Sequence, residues 1–226
     1  MRIITIIPAY NEEKAILGVI KKSLEYSDVL VVDDGSKDDT YNLAKKTGAQ
    51  VIKHDKNRGK GAAIKTGLKK ALKKNYEAYI LLDGDGQHDP DNIPSFISSI
   101  NGFGLVIGSR FIEGTPKNMP LSRRLSNRIT TSLIKYVTDF EITDSQSGFR
   151  AISADAAEYF INIKHDDYAY ESEMLYVASK SKIKVKEVGI DSIYQLEKSH
   201  ITKIHVFKYV FFIIKLLIRK TTKSDK

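Results

Sequence analysis

An alternation constrains this chain more than any other feature of it. Short apolar, β-branched runs of strand length are separated by stretches of helical periodicity, and several of those runs end abruptly in polar clusters. Ile3–Ile7 is continuously apolar, as expected of a strand buried on both faces. Pro8-Ala9-Tyr10-Asn11-Glu12-Glu13 breaks it, and a helical pattern follows through Leu24. Asp28–Val32 reads as a second strand, ended by Asp33-Asp34-Gly35-Ser36. Asp38 or Asp39 then caps a short helix that Gly48 closes. Val51–His54 reads as a third strand, followed by the basic, glycine-rich loop Asn57–Gly61 and a helix over Ala62–Lys73. Tyr79–Leu82 is the fourth strand, Asp89-Pro90 opens a helix to Ile100, and Leu105–Ser109 is the fifth strand.

Strand alternating with helix predicts an α/β fold with a mostly parallel, Rossmann-like sheet and right-handed crossovers. In such sheets ligands bind beyond the carboxyl ends of the strands. The polar clusters after Ile7, Val32, Leu82 and Ile107 all fall at those ends, so their loops should converge on one cleft.

Beyond Pro120 the pattern is a helix over Pro120–Asp139, with Leu121, Leu125, Ile129 and Leu133 on one face and Arg124, Arg128 and Lys135 on another. Asp144–Arg150 is a polar loop running into a short strand, Tyr170–Lys180 a helix, and Val185–Tyr194 a strand with Gly189 inside it. No repeat or low-complexity linker divides the chain, which predicts one catalytic domain over 1–200 and an amphipathic helix with a basic tail over 201–226. The apolar segment Ile201–Lys220 is interrupted by Lys203, Lys208 and Lys215 and is too broken to cross a membrane, which takes about 20 mostly apolar residues. His205, Lys208, Lys215 and Arg219 share one side of that helix, opposite Phe212. The pattern suits an interfacial helix on anionic lipid, and equally a helix packed on the sheet or on a second subunit.

Composition narrows the function. The 226 residues include no cysteine, which excludes disulfides and thiolate metal sites. The start lacks the features of a signal peptide, so the expected location is cytoplasmic. A net charge of +8 implies anionic partners. No recognition motif supports nucleic acid, leaving nucleotide phosphates and anionic lipid.

The stretch Leu81–Pro90, LLDGDGQHDP, carries the chemistry. Asp83 and Asp85, on a glycine-loosened turn at a strand's end, suit one hard divalent cation that keeps positions open for phosphate, and Gln87 adds a neutral oxygen. Taken alone, the stretch also reads as an acidic surface turn, and His88 as a residue of that turn.

With IIPAYNEE (Ile6–Glu13), VVDDGSKDDT (Val31–Thr40), NRGKGAAIKTGL (Asn57–Leu68), GSRF (Gly108–Phe111) and SGFRA (Ser147–Ala151), the chain resembles the family 2 glycosyltransferases of GT-A fold. Within them it is most similar to the dolichyl-phosphate mannose synthase and polyprenyl-phosphate sugar transferase branch. That resemblance implies inverting transfer of a sugar from GDP-mannose or a UDP-sugar to a polyprenyl phosphate, peripherally on the cytoplasmic membrane face. It implies that Pro8, Tyr10, Glu12, Asp34, Lys60, Asp83, Gly84 and Asp85 bind the nucleotide sugar, and that Asp83, Asp85 and Gln87 hold Mg²⁺ or Mn²⁺. Asp85 and Arg110 would be catalytic, and Arg110, Arg124, Arg128 and Lys198 would meet the acceptor phosphate. A homo-oligomer or a membrane-spanning partner subunit fits the same picture. The chain has no tryptophan, and hence no Q-x-x-R-W motif of processive members. In the basic loop near the C-terminus only Lys198 and Ser199 of Gln195–His200 match.

The competing reading is transfer to a saccharide or protein hydroxyl. That acceptor must lose a proton, so a carboxylate such as Asp144, Glu171 or Glu173 would serve as base. A lipid phosphate is already an anion and needs cations instead.

Overall fold

The computed structural model describes residues 1–116, 119–192, 212–214 and 216–218. Seven strands form one sheet in the order β3-β2-β1-β4-β6-β5-β7. They are β1 (Ile3–Ala9), β2 (Asp28–Asp33), β3 (Gln50–Lys53), β4 (Ala78–Leu81), β5 (Leu105–Ser109), β6 (Arg150–Ser153) and β7 (Val185–Gly189). Strands β3, β2, β1 and β4 pair in parallel, as do β5 and β7. β6 alone is reversed, antiparallel to both β4 and β5. The mostly parallel sheet is therefore as the alternation predicts. The reversed strand sits inside the sheet, between β4 and β5, where the Asp144–Arg150 loop delivers it.

Both faces of the sheet are covered, and the side-chain period of two assigns residues to each. Ile4, Ile6, Leu30, Val32, Tyr79 and Leu81 point to one layer, filled by α3 (Lys60–Ala71), α5 (Leu121–Thr138), α6 (Ala154–Phe160) and α7 (Tyr170–Lys180). Ile3, Ile7, Val29, Val31 and Ile80 point to the other, under α1 (Ile16–Ser23) and α4 (Ile93–Ser99). Burial on both sides explains why β1 and β2 read as unbroken apolar runs.

Several boundaries differ from the sequence reading. β7 ends at Gly189 and not at Tyr194, and residues beyond 192 there lie outside the described set. A helix over Ala154–Phe160, capped by Ser153 Oγ accepting from Ala156 N–H, had no clear periodic signature. Of the caps proposed before α2 (Thr40–Lys45), Asp38 accepts from the Thr40 N–H, at 3.1 Å.

The larger departure is in α5. Its most apolar stripe faces outward, with Leu121 79%, Leu125 60% and Ile129 52% exposed. The buried face is Asn127, Thr130, Thr131, Ile134, Val137 and Thr138. Polar partners beneath the helix explain the inversion. Asn127 Nδ2 donates to Asp144 Oδ1 at 2.7 Å, and Thr131 Oγ1 meets Ser145 Oγ at 3.0 Å.

Of the segment over 201–226, the described residues 212–214 and 216–218 are helical. Phe212, Ile213 and Leu216 are buried in the α3/α5/α7 layer, and Phe212 meets the His165 ring edge-on at 4.7 Å. At these positions the apolar face packs on the protein, the second of the two readings of that helix. Ile214 and Ile218 are exposed. Lys198 and the Gln195–His200 loop lie outside the described residues.

Candidate active site

The loops at the carboxyl ends of β1, β2, β4 and β5 surround a cleft of about 730 Å³. Pro8, Tyr10, Glu12, Asp34, Lys60, Asp83, Gly84, Asp85, Gln87 and Arg110 all line it. Arg124 and Arg128 are exposed on the outer side of α5 and do not line it; their neighbour Arg123 does, with Ser122 and Ser126.

The first two loops are laced together. Ser36 Oγ accepts from Asn11 N–H at 2.9 Å, Asn11 Oδ1 from Lys37 N–H at 2.9 Å, and Thr40 Oγ1 from Glu12 N–H at 2.8 Å. Asp34, 3% exposed, anchors the glycine-rich loop. Its carboxylate accepts from the Arg58 and Gly59 N–H groups, the latter at 2.7 Å, and lies 2.6 Å from His54 Nδ1. His54 Nε2 is 3.0 Å from Thr66 Oγ1 on α3. Gly59 has φ +104°, which favours glycine, and a Cβ there would strike the Asp166 carbonyl oxygen. The basic loop is therefore pressed against 165–167, and Lys60 starts α3 from a fixed point.

Lys60 Nζ sits 2.7 Å from Asp83 Oδ1 and 2.7 Å from Glu171 Oε1. Burial opposes its charge, yet the two carboxylates outweigh that and hold the ammonium above the usual lysine range. Burial would likewise raise Asp83, but Lys60 overrides it and holds the carboxyl below its ordinary range. Asp85 Oδ1 accepts from Gln87 N–H at 2.9 Å, which shapes the turn.

On the opposite wall Arg110 makes a two-pronged ion pair with Asp144, Nε to Oδ2 at 2.6 Å and Nη2 to Oδ1 at 3.0 Å. Asp144 is fully buried and also accepts from Asn127 and from the Gln146 N–H. Burial alone would raise its carboxyl, and the Arg110 guanidinium reverses this and lowers it.

Two features escape a reading of the sequence. His88, placed there as a turn residue, is 5% exposed, lines the cleft and lies 5.9 Å from the Phe149 ring. Its Nδ1 has no hydrogen-bond partner among the described residues, and burial, reinforced by Arg110, pushes its pKa down to about 4. Arg150 of SGFRA is fully buried and donates to the carbonyls of Ser145, Ser147 and Glu171 at 2.7–2.9 Å. It fastens the cleft floor and does not line it. A buried arginine with three carbonyl partners has no sequence signature.

The comparisons with known proteins agree with this architecture. The family model for glycosyl transferase family 2 matches residues 4–160. The chain is 36% identical over 212 residues to a Methanococcus voltae protein named UDP-N-acetylglucosamine–dolichyl-phosphate N-acetylglucosaminyltransferase, covering 84% of each. It is 31% identical over 201 residues to the undecaprenyl-phosphate mannosyltransferase of Micrococcus luteus, covering 84% of this chain and 83% of the other. In fold it matches the glucosyl-3-phosphoglycerate synthase of Mycobacterium tuberculosis, with TM-score 0.73 and 18% identity over 97% of this chain and 78% of that one. The chain belongs to glycosyltransferase family 2 and has the GT-A fold.

Proposed function

We propose that the chain transfers a glycosyl group, with inversion, from a nucleoside diphosphate sugar to a polyprenyl phosphate. The observation that carries this reading is the state of the candidate bases. Asp144 is buried and held by Arg110, Asn127 and the Gln146 N–H. Glu171 is paired with Lys60, and Glu173 accepts from the His165 N–H and does not line the cleft. None of the three carboxylates named as bases for a hydroxyl acceptor is therefore placed to serve, whereas Arg123 and Arg110, the latter shared with Asp144, lie on the cleft wall and suit an anion that needs no base. The two relatives just described are named for polyprenyl-phosphate acceptors, and the mycobacterial fold neighbour is described with Mn²⁺ and UDP.

In this reading Pro8, Tyr10, Glu12 and the Asp34-anchored loop receive the nucleoside, with GDP-mannose and UDP-sugars as the donors to test. An acceptor phosphate oxygen, positioned by Arg110 and Arg123, forms the new bond to the anomeric carbon. The bond from that carbon to the diphosphate breaks, and its electron pair leaves with the nucleoside diphosphate. Asp83, Asp85 and Gln87 offer oxygen donors that fit Mg²⁺ or Mn²⁺. Among the described residues no three acidic or histidine side chains cluster, so the diphosphate would complete the coordination. When bound, the cation supplies compensation for the charge growing on the leaving diphosphate.

Peripheral contact with the cytoplasmic membrane face belongs to the same proposal. Its support is the exposed Leu121, Leu125 and Ile129 stripe beside exposed Arg124 and Arg128. No helix among the described residues is long and apolar enough to cross a membrane.

The test is transfer from labelled GDP-mannose, UDP-glucose and UDP-N-acetylglucosamine to undecaprenyl phosphate, with undecaprenol and simple saccharides alongside. Product on the phosphate alone supports the reading. Product on a hydroxyl, with none on the phosphate, overturns it.

A further inference from the structure

We propose that Lys60 competes with the divalent cation for Asp83, and that Glu171 is the carboxylate that keeps Lys60 paired once the cation has taken Asp83. The proposal rests on the metal reading above and concerns a positioning role that the metal ligands alone do not require.

The geometry is that of one ammonium shared by two carboxylates. Nζ is equidistant, at 2.7 Å, from Asp83 Oδ1 and Glu171 Oε1. The side chains are 18% (Lys60), 22% (Asp83) and 7% (Glu171) exposed, so water does little to screen them. A dication on Asp83 and Asp85 would stand beside a lysine that now touches Asp83, and like charges at that range repel strongly. Lys60 cannot retreat far, since Gly59 and the 165–167 segment fix the start of α3. Glu171 supplies the alternative within reach. Neither Oε1 nor Oε2 has an aligned hydrogen-bond partner among the described residues, Oε1 meeting Nζ as an ion-pair contact, so the carboxylate has room to take up the ammonium more fully. Gly148 makes the arrangement feasible, because a Cβ there would lie 2.5 Å from Asp83 Oδ2 and 2.6 Å from Lys60 Nζ.

It follows that the cation alone binds weakly, because it must displace Lys60 from Asp83. The experiment titrates Mn²⁺ into the full chain without nucleotide and reads free Mn²⁺ by electron paramagnetic resonance. Lys60→Met should tighten Mn²⁺ binding by about tenfold or more, a usual size for coupling between sites. Glu171→Gln should weaken it, since Lys60 is then left with Asp83 alone. In the Lys60→Met background, Glu171→Gln should change nothing. That non-additivity separates competition from charges acting independently through space, which would give additive shifts. Lys60→Gln, whose amide can bond both carboxylates without charge, serves as a second variant should the methionine one fail to fold. Additive effects, or Mn²⁺ affinity unchanged or weakened on removing the lysine charge, overturn the competition. Absence of Mn²⁺ binding in every variant, with UDP or GDP present as well, overturns the metal reading and the competition with it.

Discussion

Gly148 shows how closely single residues set this site. With a Cβ 2.5 Å from an Asp83 oxygen and 2.6 Å from the Lys60 ammonium, Gly148→Ala must push one of them aside. Both are ends of flexible side chains, so the fold should survive with a cost of about 1–3 kcal/mol, the usual range for overpacking. Misplacing a catalytic group by an ångström can lower the rate about 10²-fold, so kcat/KM should fall by that order while thermal melting shifts only a few degrees. Wild-type turnover in this variant would show that the Lys60–Asp83 geometry is not critical. Asp144 offers a test by pH. Burial pushes its carboxyl up, Arg110 overrides this, and the result lies below the ordinary range. A folded-state pKa below the unfolded value of about 3.9 adds stability above that pH, lost as pH falls through the folded value. Asp144→Asn should therefore cost about 3 kcal/mol near neutrality, as for other broken buried pairs. The gap to wild type should begin to narrow below about pH 4, as the unfolded-state carboxyl takes up a proton, and close further as pH falls through the lower folded-state value. Urea melts between pH 3 and 7 measure it, and a gap independent of pH would refute the ion-pair account.

At the scale of elements, α5 divides its labour between two faces. Ser122, Arg123 and Ser126 line the cleft, while Leu121, Leu125 and Ile129 face out beside Arg124 and Arg128. Replacing Leu121, Leu125 and Ile129 together by serine removes exposed apolar surface, so stability should change by about 0.5 kcal/mol or less per site. Flotation with anionic vesicles should nevertheless fall sharply, and unimpaired flotation would count against this face as the lipid contact. The helix also marks where sequence reading stops. Its existence and span are legible from periodicity, but its orientation is not, because an apolar stripe reads as a core face by default. Only the polar partners of Asn127 and Thr131, contributed from the 144–145 loop, turn it around. Strands β1, β2 and β5 were legible because both faces are buried. Strand β6 reads as short, and its reversed direction depends on long-range pairing that no local pattern encodes. The cleft was legible where motif and strand end coincide, as at Asp34, Asp83 and Arg110. It was not where a role comes from an unseen neighbour, as for His88, Arg123 and the Lys60–Glu171 pair.

For the whole molecule, the cleft joins parts that are distant in the chain. Its walls come from residues between Pro8 and Ser172, on both the parallel strands and the helices behind them. Such a site exists only when the sheet is assembled, so a ligand bound there stabilises the folded state as a whole by mass action. The net charge of +8 favours an anionic donor, yet inside the cleft Asp83, Asp85, Glu171 and Glu12 face it. A diphosphate brought without a cation meets those carboxylates, and a cation brought without diphosphate meets Lys60. Each should therefore bind poorly alone, and together they should bind well. At a ligand concentration of 100 Kd the gain is about 2.7 kcal/mol, and a domain of this size melts about 2–4 °C higher per kcal/mol. The correct nucleoside diphosphate with Mn²⁺ should thus raise the melting temperature by about 5–10 °C, against a degree or two for either component. Scanning GDP, UDP and their sugar conjugates with and without Mn²⁺ reads this directly and identifies the base at the same time. The full shift obtained with nucleotide in excess EDTA would remove the cation from the donor site, and Asp83→Asn should abolish the cation-dependent part, read against that variant's own unliganded melt.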